Sequence, residues 1–171
     1  MDESRRDIIK KVAVGTGIVW AAPVLRTGAA YAAGTPAPTT STPTTTPVTC
    51  TFGEIPIESA QEVPPNASVG SGTAALTFDE GSLELCISAA FQDLSSNAIA
   101  AHIHGPAPAG VNAPILFPLT GFPVATSGSI PQQCFTLTAA QRDQLCDGLF
   151  YINIHTQNFP GGEIRGQIET T

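Results

Sequence analysis

Three histidines carry the chemistry this chain can do, and they fall in two related segments. The first is Ala101-His102-Ile103-His104-Gly105-Pro106, continuing to Gly110 and Ile115. The second is Tyr151-Ile152-Asn153-Ile154-His155-Thr156, continuing through Phe159-Pro160-Gly161-Gly162 to Ile164. Each reads as a strand ending in Ile-His, a Pro/Gly-rich turn and a returning strand. Gly110 follows His104 by six residues, and Gly161 follows His155 by six. We read this as a degenerate internal repeat that sets two histidine-tipped strands in similar geometry. Imidazole suits both copper and zinc, and three neutral ligands leave a coordination position for water or substrate. His102, His104 and His155 are therefore the candidate metal ligands. The competing reading is that these imidazoles only hydrogen-bond turn carbonyls and hold the turns.

Strand parity says what surrounds them. His102 and His104 share one face, about 7 Å apart, with Ile103 on the other. In the second segment Ile152 and Ile154 take the core face, while Tyr151, Asn153 and His155 take the opposite one. The returning strand puts Glu163, Arg165 and Gln167 on one face, Ile164 and Ile168 on the other. A hairpin closing tightly over 156–162 sets His155 against Glu163 and Asn153 against Arg165. Glu163 then becomes a candidate ligand, or a carboxylate that orients an imidazole, with Asn153, Arg165 and Tyr151 beside it. No Ser-His-Asp or Cys-His arrangement is visible, so no catalytic residue is assigned and a non-enzymatic role is favoured.

The elements that must position these residues have mostly a period of two. Leu83, Leu85, Ile87, Ala89 and Phe91 alternate with polar or small residues, and Phe135-Thr136-Leu137 does likewise. Gly, Pro, Asn and Asp turns interrupt every ten residues or so. The expected strands are 52–58, 69–79, 82–91, 98–104, 114–119, 128–137, 149–156 and 163–169. Thr138 with Gln141 forms a capping box for one short helix over 139–146, with Leu145 packed inward and Gly148 ending the turn. The fold class is all-β: an antiparallel, immunoglobulin-like or superoxide-dismutase-like sandwich with one helix.

The N-terminus reads as an address. Ser4-Arg5-Arg6-Asp7-Ile8-Ile9-Lys10 is a paired-arginine motif, and 12–25 is a short apolar stretch diluted by Gly15, Thr16 and Gly17. Arg26 and the small residues of Ala30-Tyr31-Ala32 complete a twin-arginine export signal over 1–32, cleaved near Ala33. The stretch is shorter than the roughly 20 apolar residues a membrane span needs, so no stable membrane insertion is expected after cleavage. The expected location is secreted, periplasmic or in the cell envelope. Residues 33–49, nearly all Thr, Pro, Ser and Ala, read as an extended disordered stalk, and 50–171 as one folded domain.

Two basic and eleven acidic residues follow Ala32, a net charge of −9. That surface repels phosphate backbones, so no nucleic-acid partner is expected. A metal ion is the expected partner, with a cell-surface or extracellular protein as the other. Cys50, Cys86, Cys134 and Cys146 lie in the folded part, and an exported chain should bridge them in pairs. Three connectivities are open, and the outward parity of Cys86 and Cys134 favours Cys86–Cys134 with Cys50–Cys146.

The runs Ala101-His102-Ile103-His104-Gly105-Pro106, Gly110-Val111-Asn112-Ala113-Pro114, Gly148-Leu149-Phe150-Tyr151-Ile152-Asn153-Ile154-His155-Thr156 and Pro160-Gly161-Gly162-Glu163-Ile164-Arg165-Gly166-Gln167-Ile168 resemble the CHRD domain. The resemblance covers residues 52–168. It implies an extracellular, non-enzymatic setting, because in chordin such domains belong to a growth-factor antagonist. A looser likeness is to copper/zinc superoxide dismutase, which also carries an HxH on a sandwich strand. It implies a small copper redox enzyme, yet three histidines are too few for that enzyme's full metal set.

Overall fold

The computed structural model describes residues 49–171. The expected signal peptide, and the stalk apart from Thr49, lie outside the described residues. Eight strands form: β1 (Ile55–Glu58), β2 (Ser71–Asp79), β3 (Glu84–Gln92), β4 (Ala98–His104), β5 (Ile115–Leu119), β6 (Gly128–Thr136), β7 (Phe150–Thr156) and β8 (Ile164–Ile168). One helix, α1 (Ala139–Cys146), lies between β6 and β7. The strands occur where the period of two places them. The first is shorter than expected, because Phe52 makes only an isolated bridge to Thr170 and the ladder begins at Ile55.

All neighbouring strands are antiparallel, in the order β5-β4-β7-β8-β1-β2-β3-β6. The sheet curls until its ends meet: Phe117 of β5 stacks on Phe135 of β6 with ring centroids 4.7 Å apart. Its two four-stranded halves thus face each other like a sandwich, joined at β8 and β1 through Glu58 and Arg165. Between them sit Ile57, Leu85, Ile87, Phe91, Ile103, Ile130, Phe150, Ile152, Ile154 and Ile164. Burying such a side chain contributes about 1.5–3 kcal/mol, and the alternation of β3 delivers Leu85, Ile87, Ala89 and Phe91 inward in turn.

Both expected disulfides form. Cys86 and Cys134 are register partners on β3 and β6, and Cys50 joins Cys146 at the end of α1. Thr138 accepts from Gln141 N while the Gln141 side chain accepts from Thr138 N, which starts α1. Leu145 is fully buried beneath the helix, and Gly148 takes a left-handed φ of 70° beyond it.

β7 departs from simple alternation, being buried along its whole length. Phe150, Ile152 and Ile154 face the core. Tyr151, Asn153 and His155 face the other way and are also covered. The cover is the 59–70 segment between β1 and β2 together with the 105–114 loop. Glu62 reaches Asn153, and Ala113 reaches Tyr151. A doubly covered strand builds an enclosed polar layer, and the candidate site lies there.

Candidate metal centre

β4 and β7 are adjacent, with Ala100 opposite His155, His102 opposite Asn153 and His104 opposite Tyr151. The repeat therefore becomes a pair of neighbouring antiparallel strands, and its histidines converge. Ring centroids are 5.5 Å apart for His102–His104, 4.9 Å for His102–His155 and 5.9 Å for His104–His155. One ring nitrogen from each residue lies within 4.8 Å of the others. His104 and His155 are buried, whereas His102 is half-buried at the lip, so solvent reaches the cluster.

Hydrogen bonds fix the tautomers. His104 Nδ1 is 2.9 Å from Ala113 O, and His155 Nδ1 is 3.1 Å from Pro160 O. A carbonyl only accepts, so both Nδ1 atoms carry the proton and both Nε2 atoms present a lone pair. His155 Nε2 lies 3.0 Å from His102 Nδ1, which donates to it in the metal-free protein. His104 Nε2 is buried and has no hydrogen-bond partner. Buried polar atoms are rarely left so, and a lone pair orphaned beside two other imidazoles fits a cation. The donor set is all nitrogen, which suits copper and zinc and not calcium or magnesium.

All three imidazoles are held neutral, the form that ligates. Burial lowers His102, helped by His104. Burial also lowers His104; its bond to Ala113 opposes this and the Arg165 charge adds to it. His155 is driven down to about 4 by burial, against its bond to Pro160 and with help from the other two rings.

Tyr151 and Arg165 brace the cluster. The Tyr151 ring stacks on His104 at 4.9 Å and 5°. The Arg165 guanidinium lies 3.5 Å from the Tyr151 ring centroid. Tyr151 Oη accepts from Ala113 N at 3.0 Å, which fixes the loop whose carbonyl orients His104. Asn153 does pair with Arg165 across β7 and β8. Its amide donates to Glu62 rather than to an imidazole. Arg165 donates to Gln167 and Asn112.

Glu163 is not brought to the histidines. The β7–β8 ladder ends at Ile154–Ile164, and Glu163 precedes β8 where the 157–163 turn redirects the chain. Its carboxylate is fully buried and accepts from Ser68 Oγ, Thr156 Oγ1, Ser95 N and Ser95 Oγ. Burial opposes its charge, yet those donors outweigh burial and hold the carboxyl below its usual range.

Glu62 is the residue that sequence reasoning missed. It is buried beside Asn153 and Arg165, in a Pro-rich stretch with no period to signal burial. Two further groups have ligand-like spacing, Cys50/Glu80/Cys146 and Glu84/Cys86/Cys134. Their cysteines are disulfide-bonded and supply no thiolate. The histidine group is the one with free donors among the three.

Fold and site together define a disulfide-tied antiparallel β-sandwich with a three-imidazole cluster on its covered face. The CHRD domain family matches residues 54–168, and the chain belongs to that family. CHRD domains are extracellular, and two disulfides with no free cysteine among the described residues suit an oxidising compartment. No described helix is long and apolar enough to cross a membrane. No curated protein and no solved structure matches the chain.

Proposed function

We propose that this CHRD domain binds one transition-metal ion, copper first and zinc second, through His102, His104 and His155. The observation that carries the reading is the buried, partnerless Nε2 of His104 beside two other imidazole nitrogens. Copper ranks first because nitrogen sites bind it above zinc, and no thiolate or carboxylate stands among the ligands. A bound ion would draw on the three ring lone pairs. The Nδ1–H bonds of His104 and His155 to carbonyls keep two rings in the ligating tautomer. Binding would break the His102–His155 hydrogen bond, so a neutral His102 must switch tautomer or turn its Nε2 lone pair to the ion.

The structural reading has its own support, since His104 and His155 hold turn carbonyls. It accounts for their Nδ1 atoms and leaves His104 Nε2 unexplained. Under it the module is a non-catalytic extracellular or adhesive domain. A dismutase-like copper redox activity is a narrower version of the metal reading, and it requires an open coordination position at the lip near His102. Arg5 and Arg6 support delivery by the twin-arginine route to the cell envelope or medium.

Calorimetric titration with copper and with zinc tests the proposal. The wild type should bind one ion per domain, and the His102→Ala, His104→Ala double variant should bind none while remaining folded. Equally weak binding by both proteins removes the site. Unfolding of the metal-free double variant gives the case to structural histidines.

A further inference from the structure

The enclosed layer holds a second unusual group, the Glu62 carboxyl beside Asn153. Glu62 is 5% exposed and Asn153 3%. Asn153 Nδ2 donates to Glu62 Oε2 at 3.2 Å. The other oxygen of each, Glu62 Oε1 and Asn153 Oδ1, is buried with no hydrogen-bond partner. Both crowd one small volume: a Cβ built at Gly162 would lie 2.5 Å from Asn153 Oδ1 and 2.6 Å from Glu62 Oε1. Asn153 Nδ2 lies 2.6 Å from the same point and is already given to Glu62 Oε2, so neither acceptor has a donor, and leaving a buried acceptor unpaired is costly. A single proton on Oε1 removes both defects, because a carboxylic acid donates with one oxygen and accepts with the other.

We propose that Glu62 is a neutral carboxylic acid in a two-point clasp with the Asn153 amide, that this clasp latches the 59–70 strap onto β7 and β8, and that losing the proton unlatches it. The strap's other ties are few. Asn66 Nδ2 donates to Glu163 O, Ser68 Oγ to the Glu163 carboxylate, and Asn112 Nδ2 to Val63 O. Gln167 N donates to Gln61 Oε1. Glu62 is the strap's acidic group in the covered layer, so its protonation state decides whether the middle of the strap is satisfied or frustrated.

The surroundings set the titration. Burial drives the Glu62 carboxyl up to about 7, against the pull of Asn153 from β7, the Arg165 charge from β8 and the Val63 N–H of its own segment. Tyr151 of β7 stacks on the Arg165 guanidinium and shares that charge. No ion pair within 4.0 Å joins Glu62 to Arg165 among the described residues. The folded-state value is raised, so the clasp is complete below neutral pH and is lost as pH rises through about 7. Beneath the strap lies a cleft of about 270 Å³ bordered by Gln61, Glu62, Val63, Arg165 and Gln167, which unlatching would widen. The clasp stands whether or not the histidines bind metal.

The test uses the chelator-treated mature protein. The Glu62 carboxyl carbon is followed by NMR from about pH 4 to 9, and hydrogen exchange of the strap amides, corrected for intrinsic rate, is followed from about pH 6 to 9. The account expects a Glu62 midpoint near neutrality. It also expects strap protection to fall about tenfold per pH unit above that midpoint. In Glu62→Gln the side-chain amide keeps one donor and one acceptor, so protection should stay flat with pH. A midpoint in the ordinary carboxylate range overturns the neutral acid. A near-neutral midpoint with unchanged strap protection overturns the latch, as does equal pH dependence in Glu62→Gln.

Discussion

Glu163→Gln is expected to weaken the fold markedly and leave metal binding untouched. The wild-type carboxylate is fully buried and receives four donors: Ser68 Oγ, Thr156 Oγ1, Ser95 N and Ser95 Oγ. Hydrogen bonds to a buried charge contribute about 1.5–3 kcal/mol each. The Gln amide keeps one acceptor oxygen, which must stay with Ser68 and the Ser95 N–H, because a backbone donor cannot turn around. Its NH2 then faces Thr156 and Ser95 hydroxyls, which can rotate to accept. The net loss is therefore less than four bonds, about 2–4 kcal/mol. For a domain of this size that is roughly 8–16 °C in Tm. The sign with pH follows from the lowered carboxyl. Its contribution is present above the usual carboxylate range and is lost as pH falls through the folded value. The gap between wild type and variant should be widest near pH 7 and should begin to narrow as pH falls below about 4. Thermal unfolding by circular dichroism at both pH values, with disulfides intact, reads this directly. A gap under about 0.5 kcal/mol at neutral pH would refute the hydrogen-bond accounting. Loss of copper binding in the folded variant would return Glu163 to the histidine cluster.

Three further outcomes are expected. Mature exported protein should show no free thiol when denatured without reductant. Removing either bridge should cost about 2–5 kcal/mol. Loss of Cys50–Cys146 (separation 96) should cost about 0.6 kcal/mol more than loss of Cys86–Cys134 (separation 48), as paired Cys→Ser denaturations would measure. His155 takes its proton more readily when unfolded, so in metal-free protein it removes stability as pH falls from about 6.5 toward 4, against the gain from Glu62 over the same range; relative to His155→Gln the wild type should lose stability across that window, and identical pH profiles would contradict it. Replacing Arg5 and Arg6 with lysine should stop export, and undiminished export would remove the twin-arginine reading.

The fold was legible because its signals are local. Alternation placed β4 at Ala98–His104, and the Thr138/Gln141 box placed α1 at Ala139–Cys146. Outward parity paired Cys86 with Cys134, since cross-strand neighbours on one face are the ones that meet. The Asn153–Arg165 pairing followed from the same rule. Parity failed at Glu163 because it holds only inside a ladder, and the ladder ends one residue later in the chain, at Ile164. Glu62 was hidden for a different reason. Its burial comes from a strap folding over β7, a long-range contact with no imprint on the strap's own sequence. The hint that existed was β7 itself, where Tyr151, Asn153 and His155 form a polar face too crowded to be left open to water.

The most direct test of the metal centre is X-ray absorption and electron paramagnetic resonance on the copper-loaded mature domain. The account predicts three imidazole nitrogens at about 2.0 Å, falling to two in His102→Ala and no sulfur ligand in any sample. Copper bound through oxygen alone, or an unchanged nitrogen count after His102 and His104 are both replaced, would contradict it.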